Sequence, residues 1–210
     1  MQHAEGKTIV QLLGLPPQPT TGKARLIAAG LELFYRHGFQ AVGIDQVIDL
    51  AGVTKTTFYN HFESRDDFFV ACVQQRDEWE SQAWMRAIRT IAGDDPREQL
   101  LAFFTVLDRW FNDPDYRGCI FVNVAAEFTD PRHPVHQAAV AHKKKTRNAI
   151  RDMAAKAGAT DAEAFADQFT ILIEGTLLLR HVHERNDAAM VALPTVRALL
   201  DAFMPTEQAA

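Results

Sequence analysis

Two short helical stretches hinged at a glycine constrain this chain more than any other feature. Residues 44–62 read Ile-Asp-Gln-Val-Ile-Asp-Leu-Ala-Gly-Val-Thr-Lys-Thr-Thr-Phe-Tyr-Asn-His-Phe. Gly52 ends the first stretch, because glycine enters the left-handed conformation of a helix terminus without a Cβ clash. Val47, Ala51, Val53, Phe58 and Phe62 are spaced to form a small shared core. Thr54 suits the N-cap of the second helix. The residues this second helix does not need for its core are Lys55, Thr56, Thr57, Tyr59, Asn60 and His61. Each can donate a hydrogen bond to a phosphate or a base edge. A helix face shaped only by solubility would normally include Glu or Asp, and this one has neither. That is the expected surface of a recognition helix in a DNA major groove.

The rest of the chain reads as helix. Of its 210 residues 47% are hydrophobic and 23% charged, which supports a real core and argues against disorder. Apolar periodicity places helices over residues 25–35, 44–51 and 54–62, and in a longer run opening at Ser64 and passing Phe68, Cys72 and Trp79. Asp95-Pro-Arg-Glu is a capping box with proline at the first helical position. Further helices are expected over 118–128, 135–157, 161–184 and 193–204. No strand alternation, repeat or low-complexity tract interrupts them. The fold class is all-α, with about nine helices. Three prolines between residues 16 and 19 bar regular structure there, so residues 1–20 read as an arm.

Composition excludes several classes. The most apolar run, residues 171–179, is short and contains Glu174, so no membrane span is expected. The N-terminal apolar stretch is too short for a secretory signal. Two cysteines cannot build a disulfide framework. A cytoplasmic protein is expected. The net charge of −5 is unevenly spread, since residues 21–65 carry five basic and four acidic side chains. The remainder is acidic, which fits a chain that meets phosphate with one end only.

The stretch from Arg25 to about Phe68 resembles the TetR family of transcriptional regulators. The resemblance runs through Gly38-Phe39, Ala51-Gly-Val-Thr-Lys, Phe58-Tyr-Asn-His-Phe and Ser64-Arg-Asp-Asp. It implies an N-terminal three-helix helix-turn-helix DNA-binding domain over residues 21–68. It further implies a helical ligand-binding and dimerisation domain over 69–210. The implied partners are a palindromic double-stranded DNA operator, a small-molecule effector and a second copy of the chain. By resemblance, Thr54, Tyr59, His61 and Arg65 are backbone contacts, and Lys55, Thr56, Thr57 and Asn60 read base edges. Asn pairs bidentately with adenine, and Lys reaches guanine. Several positions depart from the family pattern. Val42 and Gly43 stand where Thr or Ser is usual, which weakens the cap of the first motif helix and puts one phosphate contact in doubt. Ile48 replaces a small residue, and Thr56 replaces Gly or Ala.

The body offers fewer signals. Trp79, Trp84, Phe103, Phe104, Phe111, Phe121 and Phe169 form an aromatic-rich interior, and Asn123, Glu127 and Glu174 are polar residues set in apolar stretches. A buried carboxylate is costly without a partner. The expected effector-site residues are Trp84, Phe104, Phe121, Asn123, Phe169 and Glu174, taking a small, largely apolar ligand. Leu177, Leu178, Leu179 and Val182, with Leu199, Leu200 and Phe203, are expected to form a homodimer interface through the last two helices. Gly175 permits close approach there.

Two alternatives stand beside the ligand-responsive repressor. One is a redox- or electrophile-sensing regulator acting through Cys119, whose surroundings, Arg117-Gly-Cys-Ile-Phe-Val-Asn, resemble a segment of one TetR subgroup. The other is an all-α ligand carrier that does not bind DNA. An enzyme is not expected: no nucleophile elbow, P-loop or dinucleotide fingerprint occurs. No cofactor is expected. The scattered histidines lack ligand spacing, so no metal site is expected either.

Overall fold

The computed structural model describes residues 7–205, all of them helical or in short connections. The first six residues of the expected arm and the last five of the chain lie outside the described residues. Among the described residues there are ten helices: α1 (Ile9–Leu13), α2 (Gly22–His37), α3 (Ile44–Ala51), α4 (Lys55–His61), α5 (Arg65–Ala92), α6 (Pro96–Phe111), α7 (Ile120–Glu127), α8 (Pro134–Lys156), α9 (Ala162–His183) and α10 (Ala188–Phe203). The tenth beyond the expected nine is α1. Thr8 caps it by accepting from the Gln11 amide, and Ile9 and Leu12 are buried. It packs against α6, and the Arg86 guanidinium donates to the Leu13 carbonyl. This part of the arm is therefore anchored, because two apolar residues at helical spacing outweigh the prolines that follow.

The chain divides into two compact units. One holds Leu15–Glu80 and Cys119–Lys143, that is α2 to α4, the start of α5, α7 and the start of α8. α2 opens on a Thr21 cap and buries Leu26, Ile27, Ala29 and Phe34. Phe34 stacks on Phe39 at 4.4 Å and meets Phe69 edge-on at 5.0 Å. Phe58, Phe62 and Phe68 form a second ring cluster, with centroids 4.9 to 5.4 Å apart. Aromatic packing of this kind fixes the orientation of short helices that would not persist alone.

The second unit holds the chain up to Gly14, Ser81–Gly118 and everything from Lys144 on. Its frame is α6, α9 and α10, with α10 packed on both others. Asp95 caps α6 by accepting from the Arg97 and Glu98 amides, the Asp95 half of the expected capping box. Arg97 then reaches α10, pairing with Asp201 and donating to the Met204 carbonyl. α10 begins at Ala188, five residues earlier than the sequence reading, and runs through Pro194. A proline inside a helix costs about 3 kcal/mol. Burial of Ala188, Ala189, Val196 and Leu200 along the helix offsets that cost. The basic stretch on α8 is partly structural, since Arg147 bonds Glu163 and Asp167 of α9.

Candidate functional site

The helix-turn-helix is assembled from local signals. Gly43 has no side chain with which to cap α3, but the Gln46 side chain reaches back and accepts from the Gly43 N–H at 2.8 Å. The cap weakened by losing a hydroxyl is thus replaced in part by a glutamine one turn on. Val42 is buried instead of reaching outward. α3 ends where Gly52 adopts φ 61°, ψ 43°, and the Val53 N–H closes on the Ile48 carbonyl. A Cβ on Gly52 would meet only the tip of Arg25, so the demand for glycine is torsional.

Thr54 accepts from the Thr57 N–H at 3.1 Å and caps α4, so its hydroxyl is engaged within the turn. The Thr57 hydroxyl bonds that of Thr54, and its methyl stands against the start of α2 at Gly22. Thr57 is half-buried and belongs as much to packing as to the outer face. Phe58 and Phe62 are buried, which turns Thr56, Tyr59, Asn60 and His61 to solvent. Lys55 also faces out, its ammonium 3.1 Å from Asp45 on α3, and that carboxylate raises the Lys55 pKa. Arg65 is spent differently. Its Nη2 donates to the carbonyls of Phe39, Gln40 and Val42, and its guanidinium lies over the Phe69 ring. Seven of the eight expected DNA-facing residues thus sit on one short helix or its cap, while Arg65 holds the turn before α3.

Glu127 is a polar residue in an apolar stretch of the sequence. Its carboxylate in fact accepts the backbone N–H groups of Phe39 and Gln40. One signal pointed to such a partner. A carboxylate at a helix C-terminus sits against the negative end of the macrodipole and needs donors from elsewhere.

The six expected effector residues are divided between the two units. Trp84, Phe104, Phe169 and Glu174 belong to the second unit, Phe121 and Asn123 to the first. Trp84 lies 5.1 Å from Phe103, which meets Phe169 edge-on at 6.0 Å, and Phe104 meets Phe169 at 5.4 Å. The sequence reading missed the continuation of this ladder through Trp110 and Tyr116 to Arg180, whose guanidinium is 4.5 Å from the Tyr116 ring. Arg180 also donates to the Phe111 carbonyl. Phe121 stacks on the buried His142 ring with centroids 3.4 Å apart. The His142 Nδ1 is 2.7 Å from Asp77. Burial lowers the His142 pKa, outweighing the upward pull of Glu80 and Asp77, and favours a neutral ring that donates to Asp77. Cys119 is buried, and burial raises its thiol pKa. A thiolate nucleophile is disfavoured there, which weighs against a sensor acting through Cys119.

The model of "Bacterial regulatory proteins, tetR family" matches residues 26–72, and that of "Tetracyclin repressor-like, C-terminal domain" matches residues 96–196. The HTH-type transcriptional repressor NemR of Escherichia coli K12 is 27% identical over 109 residues, 51% of this chain. The chain matches only about half of that relative, 54% of its length. The transcriptional regulator AcuR of Cereibacter sphaeroides is 25% identical over 194 residues, 82% of this chain and 87% of that protein. A TetR-family transcriptional regulator from Streptomyces coelicolor superposes with a TM-score of 0.78 at 29% identity, covering 87% of this chain and 96% of its own.

Proposed function

This chain belongs to the TetR family of bacterial regulatory proteins, and we propose that it is a ligand-responsive transcriptional repressor that binds a palindromic operator as a homodimer in the cytoplasm. The observation that carries the reading is the outer face of α4. Lys55, Thr56, Tyr59, Asn60 and His61 are all exposed donors without an acidic residue among them, anchored from behind by Phe58 and Phe62. Lys55, Thr56 and Asn60 are the proposed base readers, with Thr57 at the edge of the contact. Tyr59, His61 and the Thr54 cap meet phosphates. Arg65 contributes through the turn it holds.

The dimer is proposed to form through α9 and α10. Ile171, Leu178 and Val182 are 69%, 61% and 59% exposed. They share one face of α9 with Gly175, above which an added Cβ would meet open space. A stripe of that size on a helix is costly to leave wet, and a two-fold axis covers it twice.

The effector is proposed to be small and largely apolar, held in the second unit at the aromatic cluster of Trp84, Phe104 and Phe169, with Glu174 as an orienting group. Phe121 and Asn123 lie on α7 in the other unit. The proposed covalent path for induction is α5, which, like α8, contributes residues to both units.

The test is selection of duplexes from random DNA on the purified protein, followed by titration of binding against salt. A dimer making roughly eight phosphate contacts gives a log–log slope near −7. A slope near zero, or no selected duplex, refutes the regulator and leaves the ligand carrier. Small apolar compounds are then titrated while tryptophan fluorescence and duplex release are followed together. By linkage, a compound releases DNA only as far as DNA weakens its own binding.

A further inference from the structure

The turn between α2 and α3 is gripped from both sides, and one side of the grip comes from outside the helix-turn-helix. Glu127 ends α7. Its Oε1 accepts the Phe39 N–H at 3.1 Å and its Oε2 accepts the Gln40 N–H at 2.8 Å. From the opposite side, Arg65 Nη2 donates to the carbonyls of Phe39, Gln40 and Val42 at 3.1 to 3.2 Å. The same two residues, Phe39 and Gln40, are thus held by a carboxylate on their N–H groups and by a guanidinium on their carbonyls. Charge-assisted bonds of this kind are stronger than neutral ones. Gly38 takes φ 85°, and a Cβ there would stand 3.1 Å and 3.3 Å from the two carboxylate oxygens, so the turn leaves room for Glu127. The next residue of α7's end is tied in as well. Phe128 packs on Phe39 and Phe69, its carbonyl is 2.7 Å from His136 Nδ1, and its ring lies against His133 at the start of α8.

The held turn leads straight into α3 at Ile44, and α3 passes to α4 through Gly52. Whatever fixes residues 39–40 therefore fixes the entry of the motif that carries α4.

We propose that Glu127 is a positioning residue for DNA recognition: by holding the Phe39 and Gln40 amides it sets the pose of α3 and α4, so that α7 governs operator affinity without touching DNA. This rests on the reading of α4 as the recognition helix. It adds a contact through which α7 acts on the motif, separate from α5.

Electrostatics and positioning predict opposite signs, which makes the idea testable. DNA is a polyanion, so removing a carboxylate from a DNA-binding unit should by charge alone tighten binding. Loss of a positioning group should weaken it. Glu127→Gln keeps the shape but leaves one acceptor for two N–H groups. Glu127→Asp keeps the charge but withdraws it by one methylene. The assay is fluorescence anisotropy of a duplex selected on the wild-type protein, at fixed salt, together with residue-resolved amide exchange on the DNA-free protein. Both variants are expected to bind about tenfold more weakly, with a salt slope unchanged to within about one phosphate contact. The Phe39 and Gln40 amides are expected to exchange faster, while those of α4 and α5 keep their protection.

Equal or tighter duplex binding by Glu127→Gln overturns the proposal. Unaltered exchange at Phe39 and Gln40 overturns it as well, and so does wild-type binding by Glu127→Asp. If the wild-type protein selects no duplex at all, the recognition-helix reading falls and the positioning role falls with it. A wild-type protein that binds with a steep salt slope beside a Glu127→Gln protein that binds equally well overturns the positioning role alone.

Discussion

Replacing Leu178 with glutamate should convert the proposed dimer into folded monomers. Leu178 is 61% exposed on α9. Removing that remaining apolar surface from water is worth about 1–2 kcal/mol. A two-fold axis counts it twice, for about 2–4 kcal/mol per dimer. The substitution loses this and adds two carboxylates to a desolvated contact, each costing at least about 1–3 kcal/mol without a donor. A total near 5 kcal/mol moves the dimer dissociation constant by roughly three to four decades. Sedimentation velocity over a dilution series reads this directly. Circular dichroism should show the helical content of the protomer retained, because Leu178 makes little use of the protomer's own core. Its neighbour is the control. Leu177 is 7% exposed and faces inward. Leu177→Glu should lower the melting temperature of the protomer itself. Operator affinity should fall with Leu178→Glu, since two half-sites about one helical turn apart need two linked heads. An unchanged dimer in Leu178→Glu would refute the assignment of this face.

Tyr59→Phe should weaken duplex binding severalfold, about the loss of one phosphate hydrogen bond, with little change in melting temperature because Tyr59 is exposed; normal binding would remove the phosphate role. Cys72 and Cys119 are both buried with raised thiol pKa values, so iodoacetamide at neutral pH should label them only after unfolding. Rapid labelling of Cys119 in the native protein would restore the sensor alternative. His142 has a folded pKa below its ordinary value of about 6.5, so the unfolded chain binds the proton more readily. Its contribution to stability is present above that pH and is lost as pH falls through the window toward the folded pKa. His142→Gln, which keeps a donor for Asp77, should flatten the pH dependence of the melting temperature across that window. Equal slopes in wild type and variant would mean that folding does not change the proton affinity of the ring.

Much of this protein was legible in its sequence because the signals were local. The Gly52 break, the Thr54 cap, the Asp95 cap and the burial of Phe58 and Phe62 each follow from residues within a few positions of one another. So does the donor-only face of α4, because helical periodicity alone decides which residues of a short helix point away from its core. Tertiary structure decided what depended on distant partners. The Arg65 guanidinium has the same chemistry whether it meets a phosphate or three carbonyls, and only folding brings residues 39–42 to it. Glu127 lies nearly ninety positions from the amides it holds, so its helix-terminal placement showed that donors were needed but not where they were. The aromatic residues of the body had the right spacing for a core, yet spacing could not sort them: Phe121 went to His142, while Phe104 and Phe169 went to each other. Side chains of equal apolarity are interchangeable in a periodic pattern, and only three-dimensional packing tells them apart.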